Sequence, residues 1–216
     1  MGIESLLLMV NNVGLLGFLA ITVVVSLSGV LAPGPVLTVT IAKGHKDKNA
    51  GAWVAAGHGI VEIPLILLIY LGFSNYLTST LFLRAIGIIG GLLLVYMGIS
   101  LIKVRGNPEY SERDVSYGPV LGGILATGSN PYFILWWATV GLTLISRAAT
   151  FGFIGFAVFA VVHWLCDLAW DWFVSFSVFK SRKLWTRKVH AIVFSACGLL
   201  LCWFGVGFII GGIRIL

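Results

Sequence analysis

Charge is scarce in this chain. Only 10% of its 216 residues are charged, 59% are hydrophobic, and the mean hydropathy is +1.03. A water-soluble domain of this size could not cover so much apolar surface, so its solvent is lipid. Cysteine is scarce too. Cys166, Cys197 and Cys202 all fall in apolar runs, and no Cys-x-x-Cys occurs. A spacing of five on one helix turns Cys197 and Cys202 away from each other, which argues against a thiol-redox centre. Residues 1–13 hold no basic residue and the first apolar run is too long for a leader, so no cleavable signal peptide is expected. No polar stretch is long enough to form a soluble catalytic domain.

What is present is a set of apolar runs. A span needs about 20 residues, and six fit, at roughly 14–42, 50–73, 82–103, 118–146, 151–179 and 188–213. The net charge of +6 does not read as a nucleic-acid patch, because the basic residues alternate between loops. Lys43, Lys46 and Lys48 lie in loop 1–2. Lys103, Arg105 and Arg113 lie in loop 3–4. Lys180, Arg182, Lys183, Arg187 and Lys188 lie in loop 5–6. Only Arg84, Arg147 and Arg214 lie on the other side. The positive-inside rule predicts a cytoplasmic membrane protein with both termini outside.

The two halves repeat each other. Gly91-Leu-Leu-Leu-Val-Tyr-Met-Gly98 returns as Gly198-Leu-Leu-Leu-Cys-Trp-Phe-Gly205. His58-Gly-Ile-Val-Glu62 returns as His163-Trp-Leu-Cys-Asp167, and Gly29 to Pro35 returns more loosely as Gly123 to Pro131. Three spans per repeat turn the second copy upside down. The expected fold is therefore an all-α membrane protein, one domain over 1–216, with six transmembrane helices as two inverted three-helix repeats at about 14–103 and 118–213.

Pro33, Gly34 and Pro35 fall inside the first span, and Asn130-Pro131 inside the fourth. Proline removes a backbone donor and clashes with the preceding turn, so helices 1 and 4 are expected to break there. Ser26, Ser28, Thr38 and Thr40 can serve freed backbone near the first break, and Asn130 can do so near the second or meet a substrate. A single proline in a membrane helix more often makes only a kink. Two breaks at matching points of two repeats favour a site, with new helix N-termini suited to a carboxylate. Pro64 makes a smaller perturbation beside Glu62.

Glu62, Asp167 and Asp171 are the only acids inside the spans, and His58 and His163 the deep histidines. An acid at mid-bilayer costs roughly 2.5–3.5 kcal/mol on the insertion scale. His58 and Glu62 share one helix face, as do His163, Asp167 and Asp171. A bland reading is a neutral hydrogen-bonded pair tying helices together. The functional reading is binding of a cationic group such as an ammonium, or proton carriage. Two further features stay open. The tryptophans at 136, 137, 170 and 172 either anchor at the interface or line the site. The small-residue stripes at Gly51/Ala55/Gly59, Gly87/Gly91 and Gly207/Gly211 serve either internal packing or a homodimer face.

Ala32-Pro33-Gly34-Pro35 in a first span, the Lys/Gly-rich loop to Ala50-Gly51, and Asn130-Pro131 opening a fourth span together resemble the LysE/RhtB family of amino-acid exporters. The likeness runs over nearly the whole chain. It implies proton-motive-force-linked export of an amino acid or similar small zwitterion, with no cofactor. Tyr132 follows Pro131 where the family usually has lysine, and the two histidine–acid pairs look more like an archaeal-type branch, whose substrate need not be lysine. The wider superfamily also includes metal-ion exporters. On this reading the substrate-binding residues are His58, Glu62, His163, Asp167 and Asp171 with Pro33, Gly34, Pro35, Asn130 and Pro131. A rival reading is a divalent-metal exporter using the same imidazoles and carboxylates. An intramembrane enzyme or a structural membrane partner is the alternative from another class. No spacing singles out a nucleophile and base, and a structural role gives no reason for buried acids in broken helices.

Overall fold

The computed structural model describes residues 13–31, 34–73, 76, 79–103, 117–184 and 186–214. Most of those residues are helical, with no strand among them. Helix α1 is Leu15–Val30, α2 Pro35–Gly44, α3 Ala50–Tyr70 and α4 Thr80–Lys103. Helix α5 is Pro119–Gly128 and α6 Pro131–Trp136. A π-helical turn over Trp137–Gly141 leads into α7, Leu142–Ala149. Helix α8 is Gly152–Ser181 and α9 Arg187–Arg214.

Three of the prolines act as helix starters. Pro35, Pro119 and Pro131 each sit in the first turn of α2, α5 and α6, where a missing N–H leaves no bond unmade. Pro64 lies within α3, which runs on through it. Pro33 lies outside the described residues, as do Arg105 and Arg113 of loop 3–4.

Five helical stretches are long and apolar enough to cross a membrane, and α1 with α2 makes a sixth if that bent pair is one span. The axes of α1 and α2 differ by 77°. The fourth span departs from the expected 118–146. Its first part is the separate ten-residue α5, and the crossing stretch is Pro131–Ala149. The two breaks also sit at different distances from the starts of their segments. Sixteen residues of α1 precede the first, and ten residues of α5 precede the second. The two ten-residue helices α2 and α5 pack together, with a Cβ on Gly122 only 2.9 Å from Val39 Cγ1.

Large apolar side chains stay exposed along the helices, for example Leu16, Ile89, Ile154 and Trp203. In water that would be a liability, whereas helices that cross a membrane present such side chains to lipid. The interior is held by close backbone approach. Helices α4 and α9 meet through the repeated Gly-x6-Gly motifs. A Cβ on Gly91 would lie 2.5 Å from the Gly205 carbonyl oxygen, and one on Gly205 would lie 2.6 Å from that of Gly91. Gly98 and Gly198 face each other the same way, at 2.5 and 2.6 Å. Gly87 and Gly91 are thus spent on internal packing. Gly207 and Gly211 have nothing within 4 Å of a Cβ.

Candidate functional site

Helices α3 and α8 carry the acids and histidines, and glycine lets them touch. A Cβ on Gly51 would lie 1.8 Å from the Asp171 carbonyl oxygen, and one on Gly59 would lie 2.4 Å from Trp164 Nε1. Helical spacing then stacks His58 above Glu62, and His163 above Asp167 and Asp171, on the facing sides. All five side chains are buried; Glu62 is 1% exposed.

The two halves of the chain interlock at one oxygen. His58 Nε2 lies 3.0 Å and His163 Nε2 3.2 Å from Glu62 Oε1, and Trp137 Nε1 donates to the same oxygen at 3.3 Å. His163 therefore turns toward Glu62, on the facing helix, more closely than toward Asp167, which it meets at 3.6 Å. His58 approaches Asp167 at 3.9 Å. Glu62 Oε2 and Asp167 Oδ2 are buried without a hydrogen-bond partner. Such groups are costly in a low-dielectric interior, so their unmet capacity points to a ligand or a proton.

Each imidazole is held from behind by a hydroxyl. His58 Nδ1 lies 2.8 Å from Thr127 Oγ1, and His163 Nδ1 lies 2.7 Å from Ser26 Oγ. A hydroxyl both donates and accepts. It can donate to Nδ1 of a neutral imidazole or accept from Nδ1–H of an imidazolium, so the framework suits either state. Asp171 is held by Thr40, whose hydroxyl lies 3.0 Å from Oδ1. Ser28 and Thr38 instead donate to the backbone carbonyls of Val25 and Gly34.

These groups open onto a cavity of about 240 Å³. Drug-sized ligands occupy about 300–1,000 Å³, so this space suits a smaller solute. His58, Glu62, His163, Asp167 and Asp171 line it, as do Gly34 and Pro35 at the head of α2 and Asn130 before α6. Pro131 is buried beside it without lining it. Among the described residues that line the cavity there is no lysine or arginine to offset the acids. The rest of the wall is aromatic and apolar, including Phe133, Trp136, Trp137 and Phe204. Trp137 stands edge-on to His163 at 4.7 Å between ring centres.

The two short helices differ at their N-termini. Asn130 Oδ1 accepts from Tyr132 N–H at 3.1 Å and caps α6. Helix α2 has no side-chain cap, and Val36 and Leu37 of its first turn line the cavity. The N–H groups of a first helical turn have no partner within the helix.

Sequence reasoning passed over Ser26, Thr127 and Thr40 as partners of the site. Their only signal was a hydroxyl near a break, which serves backbone just as often. Of the tryptophans that the sequence leaves open, Trp137 is buried, lines the cavity and donates to Glu62. Trp172 instead donates to Asn49 Oδ1 at 3.3 Å, just before α3 begins. His190 is also buried, against His45 and Phe194, and does not line the cavity.

The family model described as LysE type translocator matches residues 27–212. The chain belongs to the LysE type translocator family. As such it is a multi-pass membrane transport protein and not an enzyme. It is also similar to a Bacillus subtilis (strain 168) protein named "Putative amino acid efflux protein YcgF". The two are 27% identical over 204 residues, covering 89% of this chain and 95% of that one. No solved structure matches this translocator significantly.

Proposed function

We propose that this LysE type translocator exports an amino acid or similar small zwitterion across the cytoplasmic membrane in exchange for protons. The observation that carries the reading is the pair of buried carboxylate oxygens without a hydrogen bond, Glu62 Oε2 and Asp167 Oδ2, in a small cavity whose described lining holds no lysine or arginine. An ammonium group supplies the missing donors and the missing charge. Its carboxylate would lie at the uncapped first turn of α2, beyond Gly34 and Pro35, with the Asn130 side chain across the cavity. A proton on Glu62 or Asp167 meets the same need as an ammonium. The two cargoes therefore compete for one place, which is the requirement for exchange. The family membership and the efflux relative support export of an amino acid.

The same reading takes the chain as one domain of two inverted repeats. Supporting it are the reciprocal glycine contacts of α4 and α9, and the crossed pairs His58–Asp167 and His163–Glu62. The basic loops are taken as cytoplasmic and both termini as external. Single cysteines at Lys46 and Lys183 should react with an impermeant thiol reagent only from the cytoplasmic side in oriented vesicles. Reaction at position 183 from outside would reverse the topology.

A second reading is kept because His58, Glu62 and Asp167 each offer a ligand atom within 4.8 Å of the others. Two imidazole–carboxylate pairs suit a divalent transition metal as cargo. Thermal unfolding of the purified protein separates the two. A ligand at 100 times its dissociation constant stabilises by about 2.7 kcal/mol. The expectation is an upward shift with one class of amino acids and none with manganese or zinc ions. A shift with metals alone would replace the amino-acid reading with the metal one.

A further inference from the structure

A line of polar side chains leaves the cavity toward one end of the protein and not toward the other. On α8, every fourth residue from His163 is polar: His163, Asp167, Asp171 and Ser175, all of them buried. That spacing keeps them on one helix face. The offset that sets His163 against His58 and Asp167 against Glu62 also sets Asp171 against Ile66, and Ser175 against Tyr70. The two stripes agree at the histidine and the first acid and then differ. The stripe on α8 goes on through a second acid and a hydroxyl, and the one on α3 through a branched alkyl chain and a phenol.

The two helices run antiparallel, since Gly51 of α3 meets Asp171 and Gly59 meets Trp164 of α8. The two continuations therefore point in opposite directions. Toward the loop between α2 and α3, Asp171 lines the cavity and accepts from the Thr40 hydroxyl of α2 at 3.0 Å. One turn further on, Ser175 donates to the backbone carbonyl of Lys48 in that loop at 2.9 Å. In the other direction, Ile66, Phe159, Leu144 and Ile145 join one buried apolar cluster. Tyr70 stacks there on Phe156, with ring centres 4.0 Å apart. No acid or histidine follows Glu62 on α3 or precedes His163 on α8. Asp171 is 3% exposed, and Asp167 in the same cavity has a buried oxygen without a hydrogen bond. Among the described residues, the titratable groups sharing the cavity with Asp171 are Asp167 and His163 on its own helix and His58 and Glu62 on α3.

We propose that Asp171 is the cytoplasmic proton station of the exchange, taking the proton from Asp167 and passing it to water at the face that carries the loop between α2 and α3. The inference rests on the reading of the chain as a proton-coupled exporter with its basic loops inside. In such an exchange, cargo arriving from the cytoplasm takes the place that the proton holds, so the proton leaves toward the same face. Asp171 lies on that side of Glu62 and Asp167. Four residues of helix rise about 6 Å, a gap that one bridging water spans between two carboxyl groups. The neutral Asp167 gives its proton through that water to the Asp171 carboxylate and becomes the carboxylate that meets the ammonium. Asp171 then gives the proton to cytoplasmic water and is an anion again. The Thr40 hydroxyl both donates and accepts, so it holds the Asp171 carboxyl in either state. Asp171 thereby handles the proton and not the cargo. The apolar cluster around Ile66 offers no second station, so only the cytoplasmic branch of the path depends on a side chain beyond the site.

The test follows protonation rather than transport, and its probe is the proton itself. The full-length protein is reconstituted in oriented vesicles with neither amino acid nor metal ion. One face is acidified rapidly, and the infrared carboxylic-acid band that the Glu62→Gln, Asp167→Asn double variant lacks is followed in time. Asp171→Asn should slow the rise of that band after cytoplasmic acidification by about 100-fold, the low end of what a positioned proton-transfer group contributes. Acidifying the outer face should give the parent rate, and Asp171→Glu should restore the parent pattern at both faces. Export falls by less, since conformational steps commonly limit turnover. Asp171→Ser serves if the asparagine variant does not fold. A purely structural Asp171 would change both faces alike or neither. Unchanged rates, equal slowing from both faces, or an Asp171→Glu protein that behaves as Asp171→Asn would overturn the proposal. A parent whose band never rises would end the proton-coupled reading and this inference together. A parent band that rises, with the variant keeping pace, would end the inference alone.

Discussion

Glu62→Gln should lower pH-gradient-driven export by about 100-fold or more while the protein stays folded in the membrane, on the scale of a lost charge-assisted contact in a dry site. Glutamine preserves the carbonyl oxygen that His58, His163 and Trp137 approach at 3.0, 3.2 and 3.3 Å. It replaces the unpartnered Oε2 by an amide that brings its own donors, so neither an ammonium nor a proton is wanted there. Asp167→Asn should behave alike, since Oδ2 of that residue is also buried without a hydrogen bond. Asp171→Asn should do less, because Thr40 already serves its carboxylate. Reconstituted vesicles with and without a pH gradient, loaded with whichever amino acid stabilises the protein, provide the readout. Full coupled transport by the Glu62→Gln, Asp167→Asn double variant would make these acids structural and move the site elsewhere.

Gly51→Val should remove the folded protein altogether, or lower its stability by about 3 kcal/mol or more, at or beyond the upper end of ordinary overpacking. The added Cβ would lie 1.8 Å from the Asp171 carbonyl oxygen and 2.3 Å from its carbonyl carbon. These are backbone atoms of a continuous helix and cannot turn aside as a side chain can. To make room, α3 and α8 would have to part, and that separates His58 and Glu62 from His163 and Asp167. Gly207→Val is the control, with nothing within 4 Å of its Cβ, and should change stability by no more than about 0.5 kcal/mol. Melting in detergent, followed by size-exclusion chromatography, compares the two. A Gly51→Val protein that melts with the parent would mean that α3 and α8 do not meet as described.

The helical membrane class was legible because it depends on composition and run length, which lipid enforces along the whole chain. The five ionisable residues of the cavity were legible for a related reason: each is expensive in an apolar span, so its presence needs explaining. The arrangement around them was not. Helical spacing pairs His163 with Asp167, yet the imidazole reaches further toward Glu62, because the close approach of α3 and α8 is set by Gly51 and Gly59 and no local period encodes it. The fourth segment was read as one span because hydropathy cannot tell a helix that ends at Gly128 and restarts at Pro131 from one that is kinked. Gly207 and Gly211 resemble Gly87 and Gly91 in spacing, and only the neighbour, absent in one case and present in the other, distinguishes them.

The reciprocal seam between α4 and α9 has an evolutionary consequence. At Gly91, Gly98, Gly198 and Gly205, a methyl group on either helix meets a carbonyl of the other within 2.6 Å. None of these four positions can drift alone, since a gain of bulk on one helix is felt at once by the residue facing it on the other. Change along this seam is therefore coupled, and α4 and α9 are obliged to vary in step.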